Sequence, residues 1–202
     1  MRIALFGTVG AGKSTVSEEI SKRLGHEIFP EPIDDNPYFD DYYRDMKNFS
    51  FKMQIYMLLA RSKQLTMAKD MENIIFDRTI LEDTIFIDAL HQLGNLNDID
   101  HKVLIDFFDN VILPSLGTRA RFDVVIYLKL STKKAVERVI SRGRAQELPT
   151  DYKFWDNLNM LYDKAYNQRK NKFNFLVIDA ETDDLDKKVD EIIEALKKQG
   201  LK

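Results

Sequence analysis

Eight residues near the start of the chain decide the fold, and they read Gly7-Thr8-Val9-Gly10-Ala11-Gly12-Lys13-Ser14. They match G-x-x-x-x-G-K-[ST], the pattern of a phosphate-binding loop. The apolar run at residues 3–6 predicts a buried parallel strand before the loop. After it, Val16, Ile20 and Leu24 stand at helical spacing and predict a helix that ends at Gly25. A position between a strand and a helix is the context that this pattern requires.

The loop is expected to hold the phosphates of a nucleotide. Its glycines let successive N–H groups point at phosphate oxygens, and the helix N-terminus favours the same anion. Lys13 is expected to reach the β- and γ-phosphates, and Ser14 to offer its hydroxyl to Mg²⁺. The expected nucleotide contacts are Gly7, Thr8, Val9, Gly10, Ala11, Gly12, Lys13, Ser14 and Thr15. The alternative is a glycine-rich turn with an incidental lysine.

The composition indicates one packed domain and excludes several kinds of protein. Of the 202 residues, 44% are hydrophobic and 31% are charged, which suits a single globular domain over residues 1–202. The 30 basic and 33 acidic residues give a net charge of −3, which argues against binding to nucleic acid or an anionic membrane. The absence of cysteine excludes disulfides and cysteine-ligated zinc. No apolar run has the length of a membrane span or a signal peptide, so we expect a cytoplasmic protein.

Strands and helices alternate along the remaining chain. We predict further strands at residues 27–29, 73–76, 124–128 and 175–178, and helices at 51–69, 83–93, 101–113, 132–142 and 152–169. An apolar stripe from Leu185 to Leu196 marks a last helix. Residues 31–43 are predicted to form a loop, and residues 143–150 a mobile loop. The alternation predicts an α/β fold, with a central five-stranded parallel sheet and ligands at the carboxyl ends of its strands.

The phosphate loop alone does not say what happens to the phosphate. A GTPase switch would also carry D-x-x-G and N-K-x-D, and neither is present. Helicases and large ATPases need a longer chain, so a small-molecule kinase remains. Such an enzyme needs a group to take a proton from the acceptor hydroxyl, cations around the migrating phosphoryl group, and a metal anchor.

Candidates for the proton acceptor and the metal anchor follow two predicted strands. Glu31 follows the second strand, which we place beside the first, so its carboxylate is expected to face the phosphate loop as general base. The alternative is a solvated acid in an acidic loop. After the third strand, Asp77 is expected to hold Mg²⁺ and Arg78 to bind the attacking oxygen or the γ-phosphate. The alternative for Asp77 and Arg78 is a structural ion pair.

Three arginines near residues 138–150 are candidates for a lid. Arg138 and Arg142 share one helix face at a spacing of four residues, and Arg144 follows Gly143. Guanidinium groups converging on one loop suit a lid that closes over a triphosphate. The alternative is a solvated basic helix end.

These residues together resemble the deoxynucleoside kinase family, and in particular its short bacterial deoxyadenosine/deoxyguanosine kinases. The resemblance spans nearly the whole chain. It rests on the phosphate loop, on Glu31, and on the runs YYRDMKNFSFKMQIY, DRTILED and RGRAQE at residues 42–56, 77–83 and 142–147. Each of these later features is weak alone, but their order and spacing together are specific.

The resemblance implies a P-loop kinase three-layer sandwich with a mobile lid, ATP as phosphate donor, Mg²⁺, and a homodimer formed through helices. Glu31 would accept the proton of the 5′-hydroxyl with Arg78 as its partner. Asp77 would bind Mg²⁺, although an alternative assignment makes it the proton acceptor. The sugar 3′-hydroxyl would bind to Tyr43 and Glu147, and the base edge to Gln54, Arg61 and Asp83. The mundane alternatives are a loop anchor for Tyr43 and surface helix positions for Gln54 and Arg61.

The resemblance favours deoxyadenosine as the substrate, followed by deoxyguanosine or deoxycytidine. Thymidine-preferring relatives tend to be apolar where Arg61 and Asp83 stand. The family's common E-R-S is D-R-T here, and Met53 replaces a frequent Phe, which leaves Phe86 as one candidate for stacking on the base. The function expected is ATP:deoxynucleoside 5′-phosphotransferase in nucleotide salvage. The alternatives are a nucleoside monophosphate kinase and a non-catalytic nucleotide-binding protein.

Overall fold

The computed structural model describes residues 1–201, which form a five-stranded sheet with helices on both faces. The strands are β1 (Arg2–Phe6), β2 (Glu27–Phe29), β3 (Ile74–Asp77), β4 (Val124–Lys129) and β5 (Phe175–Asp179). Their order across the sheet is β2-β3-β1-β4-β5, and all neighbouring strands are parallel. The predicted α/β class and five-stranded parallel sheet are confirmed.

The helices cover both faces of the sheet. They are α1 (Lys13–Leu24), α2 (Phe39–Arg44), α3 (Met46–Met67), α4 (Asp83–Gln92), α5 (Asp98–Phe107), α6 (Leu113–Leu116), α7 (Thr132–Arg142), α8 (Tyr152–Arg169) and α9 (Leu185–Lys198). Short 3₁₀ turns span Ile80–Glu82 and Gly117–Ala120, and a π-helical turn spans Phe108–Ile112. The bounds of α7 and α8 agree with the prediction. Within residues 1–201, no helix combines the length and the apolar character needed to cross a bilayer.

The sheet separates two apolar cores. On one face, Phe6 and Phe76 pack with residues of α3, α4 and α8, among them Leu58 and Leu158. On the other face, α1 and α9 pack their apolar stripes against the sheet, and the buried residues of this core include Leu5, Val16, Ile20, Ile75, Ile126, Val189, Ile192 and Leu196. Strands buried on both faces are typical of a parallel sheet within an α/β protein.

The predicted position of β2 is wrong, because β3 lies between β1 and β2. The burial of the two strands gives the physical reason. All of Ile74–Asp77 is buried, so its backbone needs partners on both sides. In β2, Glu27 is exposed and Ile28 is half-buried, which suits a short strand with a charged residue at the edge of the sheet.

The predicted boundaries also need correction around α2 and α3. Residues 31–43 were predicted to be loop only, but α2 begins within them at Phe39. Helix α3 begins at Met46 and not at Phe51, because the Asp45 side chain accepts a hydrogen bond from the Asn48 N–H and caps the helix. Asn73 has a φ of 58°, so β3 starts only at Ile74.

Candidate active site

The register of two strands brings Glu31 and Arg78 together at the carboxyl edge of the sheet. Phe29 of β2 pairs with Phe76 of β3, so the residues two positions further along each strand lie opposite each other. Arg78 Nε lies 2.7 Å from Glu31 Oε1, and Arg61 Nη2 of α3 lies 3.2 Å from the same oxygen. No residue of the described chain donates a hydrogen bond to the other oxygen, Oε2. Glu31 therefore keeps one oxygen for a ligand.

The two arginines also determine the charge of Glu31. Burial raises the pKa of this carboxyl, but Arg78 and Arg61 outweigh burial and hold the pKa below its ordinary value. The side chain of Glu31 is about one quarter exposed, so it is in contact with the cavity in front of it. At neutral pH the site therefore presents an ionised carboxylate.

Lys13 lies over its own loop, where its Nζ donates hydrogen bonds to the carbonyl oxygens of Gly7 at 2.8 Å and Thr8 at 2.9 Å. Burial, together with the nearby positive charge of Arg78, lowers the pKa of Lys13 to about 8. Most of the lysine is therefore still protonated at pH 7. Its predicted contact with the β- and γ-phosphates stays a prediction.

The phosphate loop lies in close contact with α7. Gly10 has a φ of +81°, and a Cβ atom there would lie 2.3 Å from the carbonyl oxygen of Ala135 in α7. That oxygen belongs to the helix backbone and has little freedom to move. Gly10 is therefore needed both for its left-handed conformation and for the space it leaves.

Gly10→Ala is expected to lower the free energy of unfolding by about 2–4 kcal/mol, because it adds a backbone clash to left-handed strain. Gly25→Ala is the matched control, since Gly25 has a φ of +71° but open space around its Cβ position. We expect the control to cost about 1 kcal/mol. Chemical denaturation of both variants measures the difference, and equal losses would contradict the clash.

Ser14 and Asp77, the predicted magnesium pair, lie together. Leu5 of β1 pairs with Asp77 of β3, which places this carboxylate beside the loop that follows β1. The Ser14 hydroxyl donates a hydrogen bond to Asp77 Oδ2. Asp77 Oδ1 is buried and has no hydrogen-bond partner within the described chain. An unsatisfied carboxylate oxygen beside a hydroxyl fits a hard cation such as Mg²⁺.

A single cavity of about 550 Å³, within the usual size range for small-molecule sites, joins the phosphate loop to α3. The predicted site residues that line it are Val9, Gly10, Gly12, Lys13, Ser14, Thr15, Glu31, Tyr43, Gln54, Arg61, Arg78, Arg138, Arg142, Arg144 and Glu147. The others, Gly7, Thr8, Ala11, Asp77 and Asp83, lie behind its wall. Both ends of the predicted site therefore open into one space.

At the α3 end of the cavity, Gln54 and Arg61 are both buried, so the alternative of surface helix positions is wrong. Arg61 Nη1 forms an ion pair with Asp83. Asp83 itself is fully buried and does not line the cavity. In this structure Asp83 contacts Arg61 behind the cavity wall, and its predicted contact with the base stays a prediction.

Asp83 is expected to make the stability of the fold depend on pH. Burial raises the pKa of its carboxyl from 3.8 to about 7, so the folded state binds more protons than the unfolded state between these values. Stability then falls as pH rises across this interval. Between pH 5 and 8 we expect the wild type to lose about 1–3 kcal/mol relative to Asp83→Asn. Urea denaturation at several pH values measures this, and a constant difference between the two proteins would contradict it.

Only two of the three lid arginines converge. Arg144 Nη1 lies 2.8 Å from Glu147 Oε1, and Arg142 Nη2 binds the other oxygen of the same carboxylate. Arg138 instead turns to Asp183 in the loop after β5, with Nη2 2.8 Å from Oδ1. Arg138 still lines the cavity together with Arg142 and Arg144, so its predicted contact with a triphosphate stays a prediction.

The lid contacts α2 across the cavity. Gln146 Nε2 donates to Asp40 Oδ1 at 2.8 Å, and the Arg144 guanidinium lies 5.6 Å from the centre of the Phe39 ring. Tyr43 of the same helix lines the cavity together with Glu147. The two residues predicted to bind a sugar hydroxyl thus face one space, and the mobility of the lid stays a prediction.

Met53 and Met57 line the cavity, and Met53 stands at the position where the resemblance implies a Phe that stacks on the base. Asn36 fixes both of them, because its amide group donates to their sulfur atoms at 2.9 and 3.5 Å. Phe86 also lines the cavity, and its ring packs against the Arg78 guanidinium at 4.9 Å. No motif in the sequence predicts that Met57 joins Met53 on this wall of the cavity.

Two fully buried polar residues beside the site were not singled out from the sequence: Glu82 and Tyr162. A signal for Glu82 exists, because Thr79 and Glu82 form the T-x-x-E pattern of a capping box, and both of its hydrogen bonds are present. That signal indicates a helix start and not a site. Tyr162 lies 84 residues after Arg78 and carries no local signal.

Comparison with known proteins identifies relatives of this chain. The sequence profile of the family described as "Deoxynucleoside kinase" matches residues 3–199. The chain is 34% identical over 163 residues to the deoxyadenosine/deoxycytidine kinase of Bacillus subtilis (strain 168), covering 80% of this chain and 74% of that protein. It is 29% identical to the deoxyguanosine kinase of Lactobacillus acidophilus, covering 98% of this chain and 92% of that one.

Solved structures agree with these sequence relatives. A structure of deoxyadenosine kinase from M. mycoides with the products dCMP and a flexible dCDP bound superposes with a TM-score of 0.92 at 52% identity, covering 98% of this chain and all of that one. A second structure of that enzyme, with dATP bound, gives a TM-score of 0.91 at 52% identity with the same coverage.

Proposed function

This chain belongs to the deoxynucleoside kinase family, and we propose that it transfers the γ-phosphate of ATP to the 5′-hydroxyl of deoxyadenosine. In this reaction the 5′-oxygen attacks the γ-phosphorus while the bond from phosphorus to the β,γ-bridging oxygen breaks. ADP leaves with the electron pair of that bond, and the hydroxyl proton passes to Glu31. The product is the deoxynucleoside 5′-monophosphate.

One observation carries the proposal: an ionised carboxylate with a free oxygen stands in the same cavity as the phosphate loop. Glu31 is held by Arg78 and Arg61 through Oε1, and Oε2 is left for an acceptor hydroxyl. Most of the rate of phosphoryl transfer comes from positioning and charge stabilisation. Lys13, Arg142 and Arg144 supply positive charge around the migrating group.

Mg²⁺ fits the pair formed by Ser14 and Asp77. The Ser14 hydroxyl and the unsatisfied Asp77 Oδ1 are oxygen ligands of the kind that this ion prefers. When bound, the ion would neutralise charge on the phosphates. Asp77 is buried and Glu31 reaches the cavity, which favours the metal role for Asp77 over that of proton acceptor.

The preference for deoxyadenosine rests on the polar α3 end of the cavity and on the relatives. The Gln54 amide both donates and accepts, which suits a base edge with an amino group beside a ring nitrogen. Arg61 is pinned by Asp83 and Glu31 on either side, so it offers a fixed guanidinium near that edge. The M. mycoides enzyme at 52% identity is a deoxyadenosine kinase.

We propose further that two copies of the chain associate through helices. Helices α3 and α5 pack together and leave the apolar side chains of Leu59, Met67, Ile99 and Val103 exposed, which supports a protein contact on this side of the molecule. Sedimentation of the purified protein tests this proposal, and a monomer at micromolar concentration would contradict it. The cytoplasmic location stays a prediction.

The experiment that tests the function is incubation of the protein with Mg²⁺-ATP and each of the four deoxynucleosides or AMP, followed by chromatography. Deoxyadenosine 5′-monophosphate is expected as the main product. Turnover of AMP alone would indicate a nucleoside monophosphate kinase, and nucleotide binding with no ADP release would indicate a non-catalytic protein. Omitting Mg²⁺ from a parallel reaction is expected to abolish turnover.

A further inference from the structure

Arg78 has a backbone conformation that residues with a side chain rarely adopt. Its φ is +78°, in the left-handed region that favours glycine. Its side chain is almost completely buried, at 2% exposure. A strained and buried arginine persists only where surrounding contacts determine its position.

Glu82 supplies a set of these contacts. It is fully buried, and its Oε2 accepts a hydrogen bond from Arg78 Nη1 at 2.9 Å. The same oxygen lies 3.4 Å from the Gly7 N–H, and Oε1 lies 3.3 Å from the Thr79 N–H. One carboxylate therefore ties Arg78 to the first residue of the phosphate loop and to the turn that follows β3.

Tyr162 of α8 closes this network. Its hydroxyl accepts a hydrogen bond from Arg78 Nη1 and donates one to Glu82 Oε2 at 2.5 Å. Its ring packs edge-on against Phe6, with centroids 5.0 Å apart. Neither Glu82 nor Tyr162 lines the cavity, so both reach a ligand only through other residues.

The geometry of a guanidinium links this network to the catalytic carboxylate. The group is planar and rigid, so fixing Nη1 also fixes the position of Nε, which forms an ion pair with Glu31 without donating a hydrogen bond to it. Glu82 and Tyr162 hold Nη1, and Nε lies 2.7 Å from Glu31. A change in the contacts of Arg78 Nη1 would therefore change the position of the Glu31 carboxylate.

We propose that Glu82 and Tyr162 are positioning residues, which hold Arg78 so that Arg78 in turn orients Glu31 toward the acceptor hydroxyl. This role rests on the proposed kinase reaction. The contacts of Glu82 and Tyr162 would connect Arg78 to β1, β3 and α8 and so hold it beside Glu31. A positioning residue acts on the transition state more than on substrate binding, so its loss lowers kcat and leaves KM nearly unchanged.

Tyr162→Phe tests the proposal with little change in packing, because it removes only the hydroxyl group. We expect kcat with deoxyadenosine to fall about tenfold, the effect of one lost hydrogen bond to a charged group. The KM values for deoxyadenosine and ATP should stay within about twofold. Glu82→Gln, which removes the charge at similar size, should lower kcat by about a hundredfold.

Tyr127→Phe is the matched control. Tyr127 is buried like Tyr162, its ring packs on the same Phe6 at 5.2 Å, and its hydroxyl donates to the Asp163 carboxylate at 2.7 Å. It makes no contact with Arg78, so its kcat should match that of the wild type. Equal kcat values for Tyr162→Phe and Tyr127→Phe would overturn the proposal.

A double-mutant cycle separates positioning from general stability. If Tyr162 acts through Arg78, then Tyr162→Phe should have no further effect on kcat in an Arg78→Ala background. A tenfold fall that persists in this background would overturn the proposal while leaving the kinase function intact. A wild type that does not phosphorylate any deoxynucleoside would instead overturn the proposed function, and the inference with it.

Discussion

Glu31→Gln is expected to lower kcat for phosphorylation of deoxyadenosine by about a thousandfold, the usual contribution of a general base. Gln keeps the size of the side chain but cannot take the proton of the 5′-hydroxyl. It also removes the negative charge between Arg78 and Arg61. The cavity then becomes more positive, so ATP should bind at least as tightly as it does to the wild type.

The matched control for this variant is Glu27→Gln. Glu27 is the exposed first residue of β2, the strand that Glu31 follows, and it lies at the end of that strand away from the site. Single-turnover kinetics measures the chemical step, and calorimetry measures the affinity for ATP. A Glu31→Gln enzyme that retains turnover within about tenfold of the wild type would remove Glu31 from the role of base.

Lys13→Met is expected to lower kcat/KM by about 100- to 1,000-fold, because it removes a positive charge aimed at the transferring phosphoryl group. In the free protein this ammonium group bridges two carbonyl oxygens of its own loop. Binding of a triphosphate would give it stronger acceptors. Met fills the same buried space, so we expect the fold to be retained.

Lys22→Met provides the control for Lys13→Met. Lys22 lies on the same helix, α1, but its side chain is 72% exposed and its carboxylate partner Glu19 is 3.6 Å away. Its loss should leave kcat/KM unchanged. Steady-state kinetics measures kcat/KM for both variants, and circular dichroism checks that both are folded. Equal kcat/KM values for Lys13→Met and Lys22→Met would contradict the role assigned to Lys13.

Much of the fold was predictable because its signals are local. The bounds of α7 follow from its apolar periodicity, with the Ser131 cap before it and Gly143 after it. Helix α8 begins after the Asp151 cap, and β2 ends before Pro30. The start of α3 was missed because its first turn has no apolar stripe and depends on the Asp45 cap. The cap and its partner are only three residues apart, so this helix start could have been predicted from the sequence. It was missed because Asp45 comes shortly after an acidic loop, and we assigned the residues around it to that loop.

The site residues that directly follow a strand could be predicted from the sequence. Asp77 and Arg78 come directly after β3, and Glu31 follows β2, so the carboxyl edge of the sheet gathers them whatever the strand order. The strand order decided which of them meet. Because β3 lies beside β2, Glu31 pairs with Arg78 and not directly with the phosphate loop.

By itself, the sequence determined the phosphate loop, the alternation of strands and helices, and the set of charged residues at the sheet edge, since these depend on neighbours within a few turns. Tertiary structure alone decided that Arg138 pairs with Asp183 and that Asp83 stands behind Arg61. It also brought Tyr162 to Arg78. A charged side chain pairs with whichever opposite charge or hydroxyl the folded chain brings within about 3 Å, and the spacing of residues along the sequence does not predict that distance.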